Sequence, residues 1–107
     1  MTPLVQQHCA ACAGGTPPLS VEQAQALLPQ VPGWALADGL LVRTVRCKSF
    51  PTAIALVDRV AVLAEAEGHH PDFHIHYARV RLELTTHAIH GLSDNDFILA
   101  AKINELL

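Results

Sequence analysis

Aromatic side chains and net positive charge are both scarce in this chain. Phe, Tyr and Trp make up 5% of 107 residues, with one Trp and one Tyr. Half of the residues are hydrophobic, yet Ala and Val outweigh the aromatics, so the core is expected to be modest and finely packed. Lys and Arg number 7 against 10 Asp and Glu, giving a net charge of −3 and a pI of 6.1. That balance argues against a general nucleic-acid or anionic-membrane surface. No apolar run approaches the roughly 18–20 residues needed to cross a bilayer. Residues Met1–Ala13 have no basic region and no long apolar stretch, so no secretory signal is expected. The 3 cysteines, Cys9, Cys12 and Cys47, are an odd set in a chain without an export signal, which points to a reducing, cytoplasmic setting.

Histidine is what the chain has in excess: 7 in all, with His69, His70, His74 and His76 close together. Its unperturbed pKa of roughly 6.5 lets it give and take protons near neutral pH. The run Glu65-Ala66-Glu67-Gly68-His69-His70-Pro71-Asp72 is followed by His87 at the end of a strand-like segment. Proton-transfer chemistry on a small apolar scaffold is the natural expectation.

The pattern along the chain divides it into a flexible lead-in, residues 1–18, and one domain, residues 19–107. Gly14-Gly15-Thr16-Pro17-Pro18 breaks regular structure. Ser20-Val21-Glu22-Gln23 is a capping box for a first helix, which Pro29 and Pro32 end. Asp38-Gly39 is a turn signal between the strands 35–37 and 40–47. A long helix opens at Lys48–Pro51 and reaches about Glu67. Its predicted apolar stripe is Phe50, Ile54, Val57, Ala61 and Ala64, with Val60 and Leu63 beside it and Asp58, Arg59, Glu65 and Glu67 on the wet side. Gly68 suits the left-handed residue after a helix end.

Phe73–Tyr77 and Arg79–Thr86 alternate apolar and polar residues and are expected to be antiparallel strands with one face on the core. Ser93 caps a last helix, with Asp94 and Asp96 in its first turn and Phe97, Ile98, Ala101 and Leu106 on its buried side. The order α-β-β-α-β-β-α predicts an α+β domain, a four-stranded antiparallel sheet with three helices on one face. A domain this small buries about 60–70% of its extended-chain surface, so pairing with copies of itself would add stability.

Pro71 restricts His70 to extended backbone, so the His69-His70 pair leaves its helix in a defined direction. Antiparallel pairing of the last two strands brings His69 and His70 toward His87. Three imidazoles around one pocket have the means to protonate a leaving hydroxyl and to deprotonate a ring nitrogen, the two halves of a dehydration.

Glu65-x3-His69-His70-Pro71, then Tyr77, His87 and Asp96, resembles the signature of the pterin-4a-carbinolamine dehydratases. Thr85-Thr86-His87, Gly91-Leu92-Ser93, Gly33-Trp34 and the helix start at Phe50 add to the resemblance, which covers roughly residues 20–107. It implies removal of water from 4a-hydroxytetrahydropterin, left by aromatic amino acid hydroxylases, to give quinonoid dihydropterin for a reductase to recycle. It implies no metal and no organic cofactor. His69, His70 and His87 then become the acid–base and substrate-binding histidines, with His69 and His87 favoured for proton transfer and His70 for binding the pterin and as a second candidate for the acid role. Glu65, Trp34, Pro71, Thr85, Thr86 and Asp96 fall near the pterin. The resemblance also implies a homodimer or homotetramer, with phenylalanine hydroxylase as a functional partner. The alternative is a dehydratase-like binding module that regulates a hydroxylase or a transcription partner.

Blander readings stand beside these. Histidines suit a helix C-terminus, Glu65 fits a solvated helix face, Asp96 fits a helix first turn, and a lone Trp34 is more often a core anchor than a ligand platform. His74-x-His76, with His87 or His90, has metal-ligand spacing, although an exposed sheet face beside Arg81 and Glu83 accounts for it as well. His8-Cys9-x-x-Cys12 lacks the second ligand pair of a zinc site and reads as two free thiols.

Overall fold

A computed structural model describes residues 2–11 and 14–107. Helix α1 (Val21–Leu27) begins with the expected capping box, in which Ser20 Oγ accepts from Gln23 N–H and Gln23 Oε1 accepts from Ser20 N–H. Pro29 does not end the chain's helical course at once, because Leu28–Gln30 continues as a 3-10 turn. Strands β1 (Ala35–Ala37) and β2 (Leu40–Arg46) follow, joined at Asp38 and Gly39, whose φ values of 53° and 77° are those of a tight hairpin turn. Helix α2 (Phe50–Glu67) is capped by Ser49 and closed by Gly68 at φ 66°. Strands β3 (Asp72–His76) and β4 (Arg79–Leu84) come next, and α3 (Asp94–Asn104) ends the chain's regular structure.

The strands form one antiparallel sheet in the order β1-β2-β4-β3. Leu41 on β2 and Val80, Leu82 and Leu84 on β4 face a single core shared with Ala24 of α1, Ala53, Leu56 and Val60 of α2, and Phe97, Leu99 and Ile103 of α3. The opposite sheet face carries Arg81, Glu83 and His74, where Glu83 accepts from both neighbours. The three helices, the four strands and their order are those expected from the sequence.

Three local expectations need correction. The buried stripe of α2 is Ala53, Leu56, Val60 and Ala64, offset from the predicted one; Phe50 lies at its margin and stacks on Tyr77, ring centroids 6.5 Å apart. Two alanines in the true stripe present little bulk to the elements beneath. Strand β3 does not lay a full apolar face on the core: Phe73 is half-buried, Ile75 is exposed, and Tyr77 leaves the strand for the hairpin turn at φ 54° and is 76% exposed. Among the described residues it is an edge strand, with β4 as its neighbour on one side. Glu67, expected on the wet side, has a side chain only 7% exposed.

What covers Glu67 is the start of the chain. Residues 2–11, read as a loose lead-in, form a 3-10 turn at Leu4–Gln6 with Leu4 in the core, and Lys102 Nζ donates to Val5 O at 3.0 Å. Cys9 N–H donates to Glu67 Oε1 at 2.8 Å, and His8 Nδ1 lies 3.0 Å from Glu67 Oε2.

Candidate active site

Gly68 fixes where the first two histidines go. Its left-handed backbone turns the chain sharply off α2, and its N–H still bonds to Ala64 O and Glu65 O. His69 follows with its own N–H on Ala64 O at 3.2 Å, then His70 and the buried Pro71 lead into β3. His87 reaches the same place from β4. Past Leu84 the chain bends back on itself, Thr86 pairing with Gly91 through a two-way backbone bridge, and the intervening 3-10 turn His87–Ile89 presents His87. His69, His70, Thr85, Thr86 and His87 all line one cleft of about 260 Å³.

The floor of that cleft is a buried ion-pair geometry. His69 Nε2 stands 2.6 Å from Asp96 Oδ1, with the imidazole 12% exposed and the carboxylate fully buried. Asp96 is held there by the helix cap of α3: its Oδ2 accepts from Ser93 N–H at 2.9 Å and from Thr86 Oγ1 at 2.9 Å. Ser93 Oγ lies 2.7 Å from Thr86 Oγ1 and accepts from Asn95 N–H. With the Thr86 proton committed to Asp96, the Ser93 hydroxyl donates to Thr86. A carboxylate only accepts, so the His69 nitrogen facing it carries a proton, and in the neutral imidazole Nδ1 is the acceptor nitrogen.

His70 has a different environment. Its Nε2 lies 2.8 Å from Glu65 Oε1, with both side chains largely in solvent. An exposed pair of this kind adds little stability but limits where the ring points.

Trp34 is not brought to the cleft. It is 5% exposed and its indole N–H donates to Asn104 Oδ1 at 2.8 Å, at the far end of α3 from Asp96. Eight residues of helix at ~1.5 Å each put about 12 Å between those two positions. Arg43 Nη1 donates to the same Asn104 oxygen and to Pro32 O, and a Cβ at Gly33 would collide with the guanidinium, so Gly33-Trp34 belongs to this structural corner. Tyr77 also lies away from the cleft, against Phe50. His74 pairs with Glu83 on the open sheet face at 3.0 Å, and among the described residues no three His, Cys, Asp or Glu side chains converge to hold a metal. In the His8-Cys9-x-x-Cys12 motif, Cys12 lies outside the described residues.

The sequence reading missed the arm that completes the cleft. Ala10, Ala11 and the buried Asn95 line it together with the histidines. Asn95 stands next to Asp96 in sequence, but nothing in its spacing announces a contact with residue 10. Cys9, beside it, has a thiol pushed up to about 12 by burial first and by the Glu67 carboxylate second. Glu67 is shifted the other way, below its ordinary value, chiefly because Cys9 N–H bonds to it.

Comparison with known proteins places this geometry in a family. The profile described as "Pterin 4 alpha carbinolamine dehydratase" matches residues 17–106. A protein of Methylococcus capsulatus, named provisionally as a pterin-4-alpha-carbinolamine dehydratase, is 48% identical over 105 residues, covering 96% of this chain and 92% of its own. A protein of Chloroflexus aurantiacus with the same provisional name is 53% identical over 91 residues, covering 85% of this chain and 98% of its own. The crystal structure of a transcriptional coactivator/pterin dehydratase from Brucella melitensis superposes with a TM-score of 0.78 at 30% identity, over 83% of this chain and 97% of that one.

Proposed function

The chain belongs to the pterin 4 alpha carbinolamine dehydratase family, and on that premise we propose that it removes water from a 4a-hydroxytetrahydropterin by histidine acid–base catalysis. The observation that carries the proposal is the His69–Asp96 pair at the floor of a cleft that also holds His70 and His87.

Each step has a group to perform it. His69, oriented by Asp96 with Nδ1 unprotonated, takes the proton from ring nitrogen 5. The electron pair of that N–H bond becomes the double bond to carbon 4a. The hydroxyl on carbon 4a leaves as water, protonated by His87. The buried Asp96 carboxylate stabilises the imidazolium that His69 becomes, which is worth most where water is excluded. His70, held by Glu65 at the rim, binds the ring, and Thr85 and Thr86 form part of one wall. The product, a quinonoid dihydropterin, is the oxidised form that a reductase returns to the tetrahydropterin used by aromatic amino acid hydroxylases such as phenylalanine hydroxylase. All of the chemistry is proton transfer by these side chains, in a cytoplasmic enzyme.

Self-association belongs to the same proposal. β3 is an edge strand, and Phe50, Val62, Ile75 and Tyr77 are large apolar side chains left in solvent. Unpaired edge and exposed apolar surface together fit a homodimer or homotetramer, which light scattering on the purified protein reads directly.

Stopped-flow decay of freshly generated 4a-hydroxytetrahydropterin tests the reaction. Acceleration by the wild type that His87→Ala loses supports it. Decay at the spontaneous rate with the wild type rejects it.

A further inference from the structure

The first eleven residues lie outside the segment matched by the family profile, which begins at residue 17. Ala10 and Ala11 nevertheless line the same cleft as His69, His70 and His87. Near the cleft the arm is fastened at two points, one two residues before His69 in sequence and the other immediately before Asp96. At one, Cys9 N–H donates to Glu67 Oε1 at 2.8 Å, just ahead of Gly68 and His69. At the other, Asn95 grips both backbone groups of Ala10: its Oδ1 accepts from Ala10 N–H at 3.0 Å, and its Nδ2 donates to Ala10 O at 2.6 Å. Asn95 immediately precedes Asp96.

A side-chain amide that pairs both backbone groups of one residue serves as a strand partner one residue long, and it fixes direction as well as position. Burial of apolar surface does not explain this latch. Leu4 lies in the core and Cys9 packs against it, whereas Ala10 and Ala11, which Asn95 holds and which line the cleft, are exposed. What the latch achieves is to hold two small side chains at the mouth of the cleft.

We infer that Ala10 and Ala11 are a wall of the substrate cleft, that Asn95 is the positioning residue holding it, and that the wall sets which substituent on the pterin the site accepts. This rests on the dehydratase reading. In a pterin, carbon 6 bears the variable substituent and is bonded to nitrogen 5, the atom that loses its proton. A wall that lines the same cleft as the imidazole taking that proton therefore lies beside the substituent.

The test uses the full chain and two carbinolamines, one with a methyl group at carbon 6 and one with a dihydroxypropyl chain. Asn95→Ala is expected to raise KM roughly 3–10-fold with kcat within about twofold, the mark of lost ground-state contact. Ala11→Leu is expected to lower kcat/KM for the longer substituent at least about fivefold more than for the methyl. Ala10→Pro removes the N–H that Asn95 accepts while leaving Asn95 in place, so it repeats the Asn95→Ala result if that variant fails to fold. Hydrogen exchange at the Ala10 amide reads the latch itself, with protection lost in Asn95→Ala. An active wild type whose variants keep KM and the substrate ratio overturns the wall, as does a fall in kcat alone. A wild type that accelerates neither substrate defeats the dehydratase reading and the wall's substrate role with it, while the amide exchange still reports whether the latch exists.

Discussion

His69 and Asp96 meet at 2.6 Å across 27 residues of sequence, joining the end of α2 to the first turn of α3. The contact is over-determined. Asp96 is the third residue of the helix and closes its capping box, so the same carboxylate that caps its helix orients the imidazole. Both carboxylate oxygens are engaged, and Thr86 ties the β4 end to them. An imidazole whose tautomer and direction are fixed this way needs no rearrangement to take up a proton.

Asp96→Asn keeps the shape and removes the charge. We expect kcat to fall roughly 10²–10⁴-fold, the usual scale for a positioned proton-transfer group. The lost charge-assisted bonds should cost about 1–3 kcal/mol of folding stability. Steady-state kinetics and a urea melt on the same preparation separate the two effects, and unchanged kcat would detach Asp96 from the chemistry.

Trp34→Phe should behave oppositely. The indole N–H bond to Asn104 is lost, while Arg43 still donates to the same oxygen. A stability loss of about 1–2 kcal/mol with kcat/KM unchanged is expected. A raised KM would return Trp34 to the substrate site.

The sequence carried the frame of the site but not its walls. Caps and turns are local chemistry, so Ser20, Ser93, Gly68 and Asp38-Gly39 were readable from their neighbours alone. The histidines were legible because strand pairing alone converges His69 and His87. The α2 stripe was only partly placed: Ala64 and the flanking Val60 are buried as expected, but Ala53 carries little periodic signal, and it and Leu56 take the places expected of Ile54 and Val57. Trp34 and Glu67 were misjudged because their environments are set by Asn104 and Cys9, 70 and 58 residues away in sequence. Asn95 was missed for the same reason: its partner, Ala10, lies 85 residues away in sequence.

Cys9 should be a slow thiol. With its pKa near 12 in place of 9.0, the thiolate fraction at pH ~8 drops from roughly 10⁻¹ to roughly 10⁻⁴. Alkylation at Cys9, followed by peptide mass spectrometry, should be about a thousandfold slower in the native protein than in urea. Equal rates would mean that the arm does not bury it.

Glu67 predicts the acid side of the stability curve. Its carboxyl is held below the ordinary 4.5 by the Cys9 N–H bond, with His8 and Lys102 adding to it. A lowered folded-state value gives stability that is present above the unfolded value and lost as pH falls through the folded one. The advantage of wild type over Glu67→Gln in urea melts should therefore be full near neutrality and shrink below about pH 4.5. A gap that does not change with pH would contradict the assignment.

The most direct test of the central claim is stopped-flow dehydration of 4a-hydroxytetrahydropterin by wild type beside His69→Ala. The geometry predicts rapid decay with the wild type and a loss of roughly 10²–10⁴-fold in the variant. Full activity in His69→Ala would contradict it, because the Asp96-oriented imidazole would then have no part in moving the proton.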